Sequence, residues 1–352
     1  MNIRDVAREA RVGVGTVSRV LNGSSELSSK TRAHIEAVIR RLGYRPHAQA
    51  RRILRKSGMV CFLLANRPFL HSFHAAILEG VEARANELKQ HVVFLRMQCD
   101  MKTPPEDILL PPILGERGWV DGVILTGAVY PNLIQRIQGL NLPIVAFGNN
   151  IFEGRGRARF DRVRYDGLKG QFDATEYLLN KGHQLVAFVG NVSYPWFREQ
   201  HQGYLRAMRA RDLHPISIAR DGPSDFVEYG EWAVPRLLKR KPRPTAVLAG
   251  SDEVAYGLLR QLRIQGVKVP GDVSLMGFDD RELAALMEPP LTTVHVYTQR
   301  IGQCCMQVLS ERLRQPSQPH AAHIVPTSLV ERASVESLNP AQDIPAVNQP
   351  KP

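Results

Sequence analysis

From Met59 onward, short apolar runs alternate with stretches of helical period, and that alternation restricts the chain to parallel sheets flanked by helices. The apolar runs are Val60 to Leu64, Val92 to Arg96, Gly122 to Leu125, Ile144 to Phe147, Leu185 to Val189, Ala246 to Ala249 and Ser274 to Gly277. Between them the spacing predicts helices over Ala75 to Lys89, Gly167 to Lys181, Gly203 to Arg211, Glu228 to Leu238 and Glu253 to Gln265. Strand ends are repeatedly followed by Gly, Asn or Asp, as in Gly148-Asn149-Asn150, Gly190-Asn191, Gly250-Ser251-Asp252 and Gly277-Phe278-Asp279-Asp280. Polar loops therefore gather at the carboxyl edges of the sheets, where ligands of such folds bind.

The opening residues follow a different pattern. Ile3, Val6, Ala7 and Ala10 recur at helical spacing, so Asn2 to Ala10 reads as an amphipathic helix with Asn2 as N-cap and Asp5 three residues on. A turn through Arg11, Val12 and Gly13 leads to a second helix, Val14 to Leu21, in which Val17, Val20 and Leu21 can face the first. Val14, Gly15, Ser18 and Arg19 are left outward. A third helix starts near Ser28 or Ser29 and runs through Ile35, Val38, Ile39 and Leu42 to Gly43. Two short helices about a tight turn are the form that places one helix in the DNA major groove.

Charge agrees. Residues 1–58 hold 13 Lys or Arg against four acids, a net +9 of the chain's +12. A positive footprint so confined suits a polyanion-binding module on an otherwise near-neutral body. Tyr44 to Gly58 carries Ala48, Ala50, Ile53 and Leu54 among five basic residues, too short and too charged for a lone helix. It is expected to become helical only against DNA and a second copy of itself.

At 352 residues the chain suits two or three domains. No apolar run reaches the ~18 residues needed to span a bilayer, and the polar, basic start lacks a secretory apolar region. The expected address is the cytoplasm, with no membrane partner. Cys61, Cys99, Cys304 and Cys305 lack the spacing of a zinc site, and no phosphate-cradling glycine loop is present, so neither metal nor cofactor is expected.

Several blocks resemble the lactose-repressor (LacI) family over nearly the full length: IRDVAREARVGVGTVSRVLNG, LGYRPHAQARRIL, NKGHQLVAFVG, SDEVAYGLL, DVSLMGFDD with EPPLTTVHV, and VPTSLVERAS. The resemblance implies an N-terminal all-α helix-turn-helix domain over residues 1–44 and a hinge helix over 45–58. An α/β periplasmic-binding-protein-like core of two Rossmann-like subdomains would then occupy 59–340. Its N-subdomain would span about 59–160 and 295–322, its C-subdomain about 161–294 and 323–340, followed by a disordered tail over 341–352. The implied function is sequence-specific repression of transcription by a homodimer, extendable to a tetramer, on double-stranded DNA with a pseudo-palindromic operator. A small effector, a sugar, would bind between the subdomains. A purine-type corepressor is the alternative within the family, and a sugar-processing enzyme the alternative outside it.

Carried over residue by residue, Val14 and Gly15 occupy the positions that choose among bases, with only apolar contact and close backbone approach to offer. Arg19 can make a bidentate contact with guanine. Thr16, Ser18, Asn22, Arg4 and Thr31 match positions that hold phosphates or orient the helix. Gly13 stands where the family has a capping serine, and Arg11 where it has the turn glycine. In the hinge, Ile53 matches the wedge that opens a minor-groove base step, Ala50 permits close helix approach, and His47 replaces an asparagine.

For the effector, Asp252 is the expected partner of paired ligand hydroxyls, with capping of the helix at Glu253 as its other reading. Phe73 and His74 align with an aromatic pair flanking the ligand. The family's effector arginine falls on Gln200, so either Arg198 takes its place through a loop shift or the pocket lacks it. Tyr194, Trp196 and Phe197 crowd the same loop. Asp166 and Asp279 are rim candidates, and the arginines at 155, 157, 159, 162 and 164 read as a solvated loop and strand face or as an attraction for a phosphorylated ligand.

Overall fold

The computed structural model describes all residues except 1–2, 22–26, 43–56, 68–70, 117, 153–158, 220–224 and 339–352. Asn2, Asn22, His47, Ala50, Ile53, Arg155, Arg157 and the tail thus lie outside the described residues. Two units emerge, Met1–Met59 with Pro111–Asp121, and Val60–Leu110 with Gly122–Pro352.

In the first unit, helices Ile3–Glu9, Val14–Leu21 and Ser29–Leu42 bury Val6, Ala7, Ala10, Val17, Val20, Ile35 and Val38 together. These are the positions that helical spacing selects, and one small core accounts for all three helices. Arg11 takes the turn with φ +54°, a left-handed conformation that suits glycine and costs ~1 kcal/mol elsewhere. Ser28 caps the third helix, its Oγ accepting from Thr31 N at 3.1 Å. Further along, the Asp121 carboxylate accepts from Ser57 N at 2.7 Å and Gly58 N at 2.8 Å, fixing the chain just before the first strand.

The strands are β1 (Met59–Ala65), β2 (His91–Met97), β3 (Gly122–Gly127), β4 (Ile144–Phe147), β5 (Asp161–Tyr165) and β6 (Val186–Val189), then β7 (Ile216–Ile218), β8 (Ala246–Ala249), β9 (Ser274–Met276), β10 (Thr293–Val296), β11 (Ala322–Val325) and β12 (Thr327–Val330). A six-stranded sheet has the order β11-β5-β4-β3-β1-β2, and a four-stranded parallel sheet the order β7-β6-β8-β9. The antiparallel pair β10 and β12 forms a separate two-stranded sheet, β10 following β9 and β12 following β11. Both β5 and β11 join the first sheet, so two crossings fall after Tyr165 and Val325, beyond the expected limits near 160 and 322.

β5 went unread as a strand because its sequence is DRVRY; its burial alternates, with Asp161, Val163 and Tyr165 inward and Arg162 and Arg164 outward. The arginines have protein partners: Arg162 lies over the Phe160 ring at 5.3 Å, and Arg164 pairs with Glu199. A second difference is the helix Pro195–Ala210, which begins eight residues before the expected Gly203. Proline at its first position favours a helix start, and the aromatic residues read as loop are its first turn.

Helices Ser72–Glu87 and Thr298–Arg314 cross with backbone almost touching. A Cβ on Gly80 would lie 2.0 Å from the Gln299 carbonyl oxygen, and one on Gly302 would lie 1.9 Å from that of Ile77. Near the end of the second helix, buried Arg312 forks onto Asp161, Nε to Oδ2 at 2.8 Å and Nη2 to Oδ1 at 3.0 Å. Burial works to raise the Asp161 carboxyl; the Arg312 fork and the Ala321 N–H outweigh it and hold the group below its usual range. Arg312→Ala should destabilise the chain by ~3–5 kcal/mol in urea unfolding, because it strands a buried carboxylate. The double variant Asp161→Leu with Arg312→Met should recover most of that loss; a double variant as unstable as the single one would contradict this account.

Candidate functional site

The second helix of the first unit turns its apolar face to the core and its other face to solvent. Val14 is 42% exposed and Arg19 is exposed. Gly15 is bare, with no atom within 4 Å of an added Cβ. Thr16 and Ser18 are half-buried, Arg4 is exposed, and the Thr31 hydroxyl lies 2.8 Å from Ser28 Oγ at the cap. Apart from Asn22 and the hinge residues His47, Ala50 and Ile53, the residues expected to reach DNA from this unit are thus described on three short helices that share one core.

In the second unit, a cleft forms where the carboxyl ends of the two sheets meet. Its first wall holds Arg67, two residues past β1, with His71, Phe73 and His74 at the start of the next helix, Asn150 after β4, and Tyr165 at the end of β5. Its second wall holds Trp196 and Phe226, each near a helix start, with Ser251 and Glu253 after β8, and Asp279 and Arg281 after β9. The cavity is only about 60 Å³. That volume is smaller than a sugar, which would fit only if the cleft widened.

Aromatic rings line much of the second wall. Trp196 stacks on Tyr194 at 4.7 Å between centroids and meets Phe226 edge-on at 6.4 Å. Across the cleft the Arg67 guanidinium lies 5.1 Å from the Trp196 ring. Arg281 also spans the walls, pairing with Glu253 at 2.9 Å while Nη2 donates to Ser72 Oγ at 2.6 Å. Asn150 Nδ2 lies 3.3 Å from His74 Nε2, so the neutral ring accepts there and carries its proton on Nδ1. Burial, then the charge of Arg67, keeps His74 well below the usual histidine range.

Of the residues read as effector candidates, Phe73, His74, Trp196 and Asp279 line this cleft together. Asp252 does not: it is fully buried outside the cleft lining, with Oδ1 accepting from Thr293 Oγ1 at 2.6 Å and Oδ2 from Arg281 N at 2.7 Å. Both oxygens are engaged by the chain, and the helix cap is Ser251, whose Oγ accepts from Val254 N. Arg198 also points elsewhere. It is exposed, and folds back to donate to the Val192 and Ser193 carbonyls at 3.2 and 3.3 Å. Gln200 is 1% exposed, packed beside Gly250 and Phe197 outside the lining. Asp166 caps the helix Gly167–Asn180 through Lys169 N. Sequence reasoning missed Arg67, Glu253 and Arg281, although all three follow strand ends, the very edge that the Gly, Asn and Asp loops mark. Among the described residues no group of three or more His, Cys, Asp or Glu is placed to hold a metal ion.

Comparisons with known proteins address both units. Residues 2–47 match the model described as bacterial regulatory proteins, lacI family, and residues 175–335 that of a periplasmic binding protein-like domain. The chain is 30% identical over 340 residues to the HTH-type transcriptional repressor CytR of Escherichia coli (strain K12), covering 96% of each chain. It is 32% identical over 340 residues to the ribose operon repressor of the same strain, covering 94% of this chain and 99% of the other. A solved structure of the transcriptional regulator CelR in complex with cellobiose aligns at TM-score 0.68 and 28% identity, over 95% of this chain and 99% of that one.

Burial pushes the Asp252 carboxyl up to about 7 from an ordinary 3.8. The folded chain therefore keeps a proton that the unfolded chain releases, so the stability due to this group is whole below about pH 4 and lost as pH rises through about 7. Asp252→Asn retains an acceptor for Arg281 N and a donor for Thr293. In urea unfolding between pH 4 and 8, the wild type should fall relative to this variant by up to ~1.4 kcal/mol per pH unit. A difference that stays flat with pH would show that Asp252 is charged in the fold.

Proposed function

This chain belongs to the lacI family of bacterial regulatory proteins, and on that premise we propose that it is a repressor whose hold on DNA is governed by a sugar bound in the cleft between its two sheets. The outward face of helix Val14–Leu21 carries the DNA half of this reading: Val14, Gly15 and Arg19 are exposed on a helix whose opposite side is core. Arg19 supplies the bidentate donor for guanine, and Val14 the apolar contact for a thymine methyl. Two copies bind a pseudo-palindromic operator, each reading one half-site, with Ile53, Ala50 and His47 of the hinge at its centre. Acting on DNA, the protein works in the cytoplasm.

Linkage joins the two halves. DNA favours the arrangement of the sheets that lets two hinges pair, and the sugar favours the arrangement that closes around it. Each shifts the other only by its difference in affinity for the two arrangements. The contacts of Arg281 with Ser72 and of Arg67 with Trp196 span the cleft, so they are remade whenever it opens or closes.

The test begins with full-length protein and an operator selected from random duplexes. Fluorescence anisotropy should show a half-site repeat, affinity that falls steeply with salt, and release of DNA by a sugar that also raises Tm. Arg19→Ala should weaken operator binding by ~1–3 kcal/mol and relax preference at one base pair per half-site. Uniform attraction to every duplex, or an Arg19→Ala variant with unchanged base preference, would count against the reading.

A further inference from the structure

Charge in the cleft does not cancel. Arg281 is matched by Glu253 at 2.9 Å, and burial drives both His71 and His74 towards the neutral form. Asp279 is driven the same way, since burial and then the neighbouring Asp252 raise its carboxyl well above the ordinary range. Arg67 has no ion-pair partner of its own among the described residues. Among the described residues no carboxylate oxygen lies within 4.0 Å of its guanidinium, and its shielded Nε meets no acceptor. The residues that follow it in the sequence, at 68–70, are Pro, Phe and Leu and bring no charge. Glu253, already paired with Arg281, favours the charge of Arg67 only from beyond ion-pair distance, and the Trp196 ring beside it is an aromatic face that tolerates a cation without neutralising it.

An unmatched cation in a shielded cleft is costly in the empty protein and is repaid only by an anion that arrives from outside. We infer that the cleft takes a sugar acid, a polyhydroxylated molecule bearing one carboxylate, with Arg67 as the residue that binds the carboxylate. The inference rests on the effector reading and narrows it. One spare positive charge matches one negative charge. A phosphate ester brings nearly two, and would set the second against Glu253. The planar fork of arginine also fits a carboxylate with two parallel hydrogen bonds, one of which would satisfy Nε. Glu253 and Asp279 remain for hydroxyl groups, and Trp196 for the C–H face of the molecule. The cation that is absent at Gln200 thus comes from the opposite wall.

Isothermal titration of the full-length protein tests this directly, using glucuronate, galacturonate and gluconate, their neutral parents glucose, galactose and glucitol, and glucose 6-phosphate. At least one acid should bind about tenfold or more tighter than its parent, ~1.4 kcal/mol. Arg67→Gln should abolish that ratio while its ligand-free Tm stays level with or above the wild type, because an unmatched buried charge has been removed. Arg67→Lys, which keeps the charge without the fork, should retain a reduced preference. A neutral parent that binds as tightly as its acid, tighter binding of glucose 6-phosphate, or a ratio that survives in Arg67→Gln overturns the inference and leaves the effector reading standing. Failure of every sugar, acid or neutral, to bind overturns both.

Discussion

Asp252 is the joint on which the cleft is built. Its backbone N donates to the Phe278 carbonyl at 2.7 Å, and its two carboxyl oxygens hold Thr293 on β10 and the backbone of Arg281 beyond β9. One buried side chain thereby fixes the end of β8, the loop after β9 and a segment on the way back to the first sheet. Gly277 makes room for it, since a Cβ there would lie 2.1 Å from Asp252 Oδ1. With that loop pinned, Asp279 and Arg281 project from a set position, and Arg281 in turn orders Glu253 and reaches Ser72. An aspartate at a strand end is easily read as a ligand group; here it is the support on which the cleft-lining groups stand.

The two walls contribute different chemistry because they are built from different local sequence. The first sheet presents a cation, two histidines of lowered basicity and an asparagine, all on loops or first turns after apolar strands. The second presents rings on helix starts and carboxyl groups after β8 and β9. Polar hydroxyl groups and C–H faces of one molecule can be met at the same time only if both walls close on it. Recognition is then inseparable from the relative position of the sheets, which is the physical basis on which the proposed function couples a small molecule to DNA binding.

Much of this was legible in the residues, and the gaps have physical reasons. Helical spacing found the core of the first unit, down to Val6, Val17, Ile35 and Val38, because three short helices with one small core leave no freedom over which face is buried. Runs such as Val60 to Leu64 announced strands buried on both faces. β5 did not, because its outer face carries arginines whose partners, Phe160 and Glu199, only folding brings near. Asp252 and Asp279 both follow strands and both carry carboxyl groups, and nothing local distinguishes the one whose oxygens the chain itself consumes. Arg67 was overlooked for a related reason. Its importance is that among the described residues no carboxylate lies within ion-pair distance of it, and an absence of that kind exists only once the surrounding side chains are placed.

The touching helices of the first sheet carry a mechanical consequence. With Gly80 and Gly302 in backbone contact, there is no cushion of side chains through which Ser72–Glu87 could slide or tilt against Thr298–Arg314. The helix that carries His74 at its start is therefore held stiffly on its neighbour. Under the proposed function, a change in the spacing of the walls would then have to fall outside this helix pair, much as a door leaf stays flat while its pins turn.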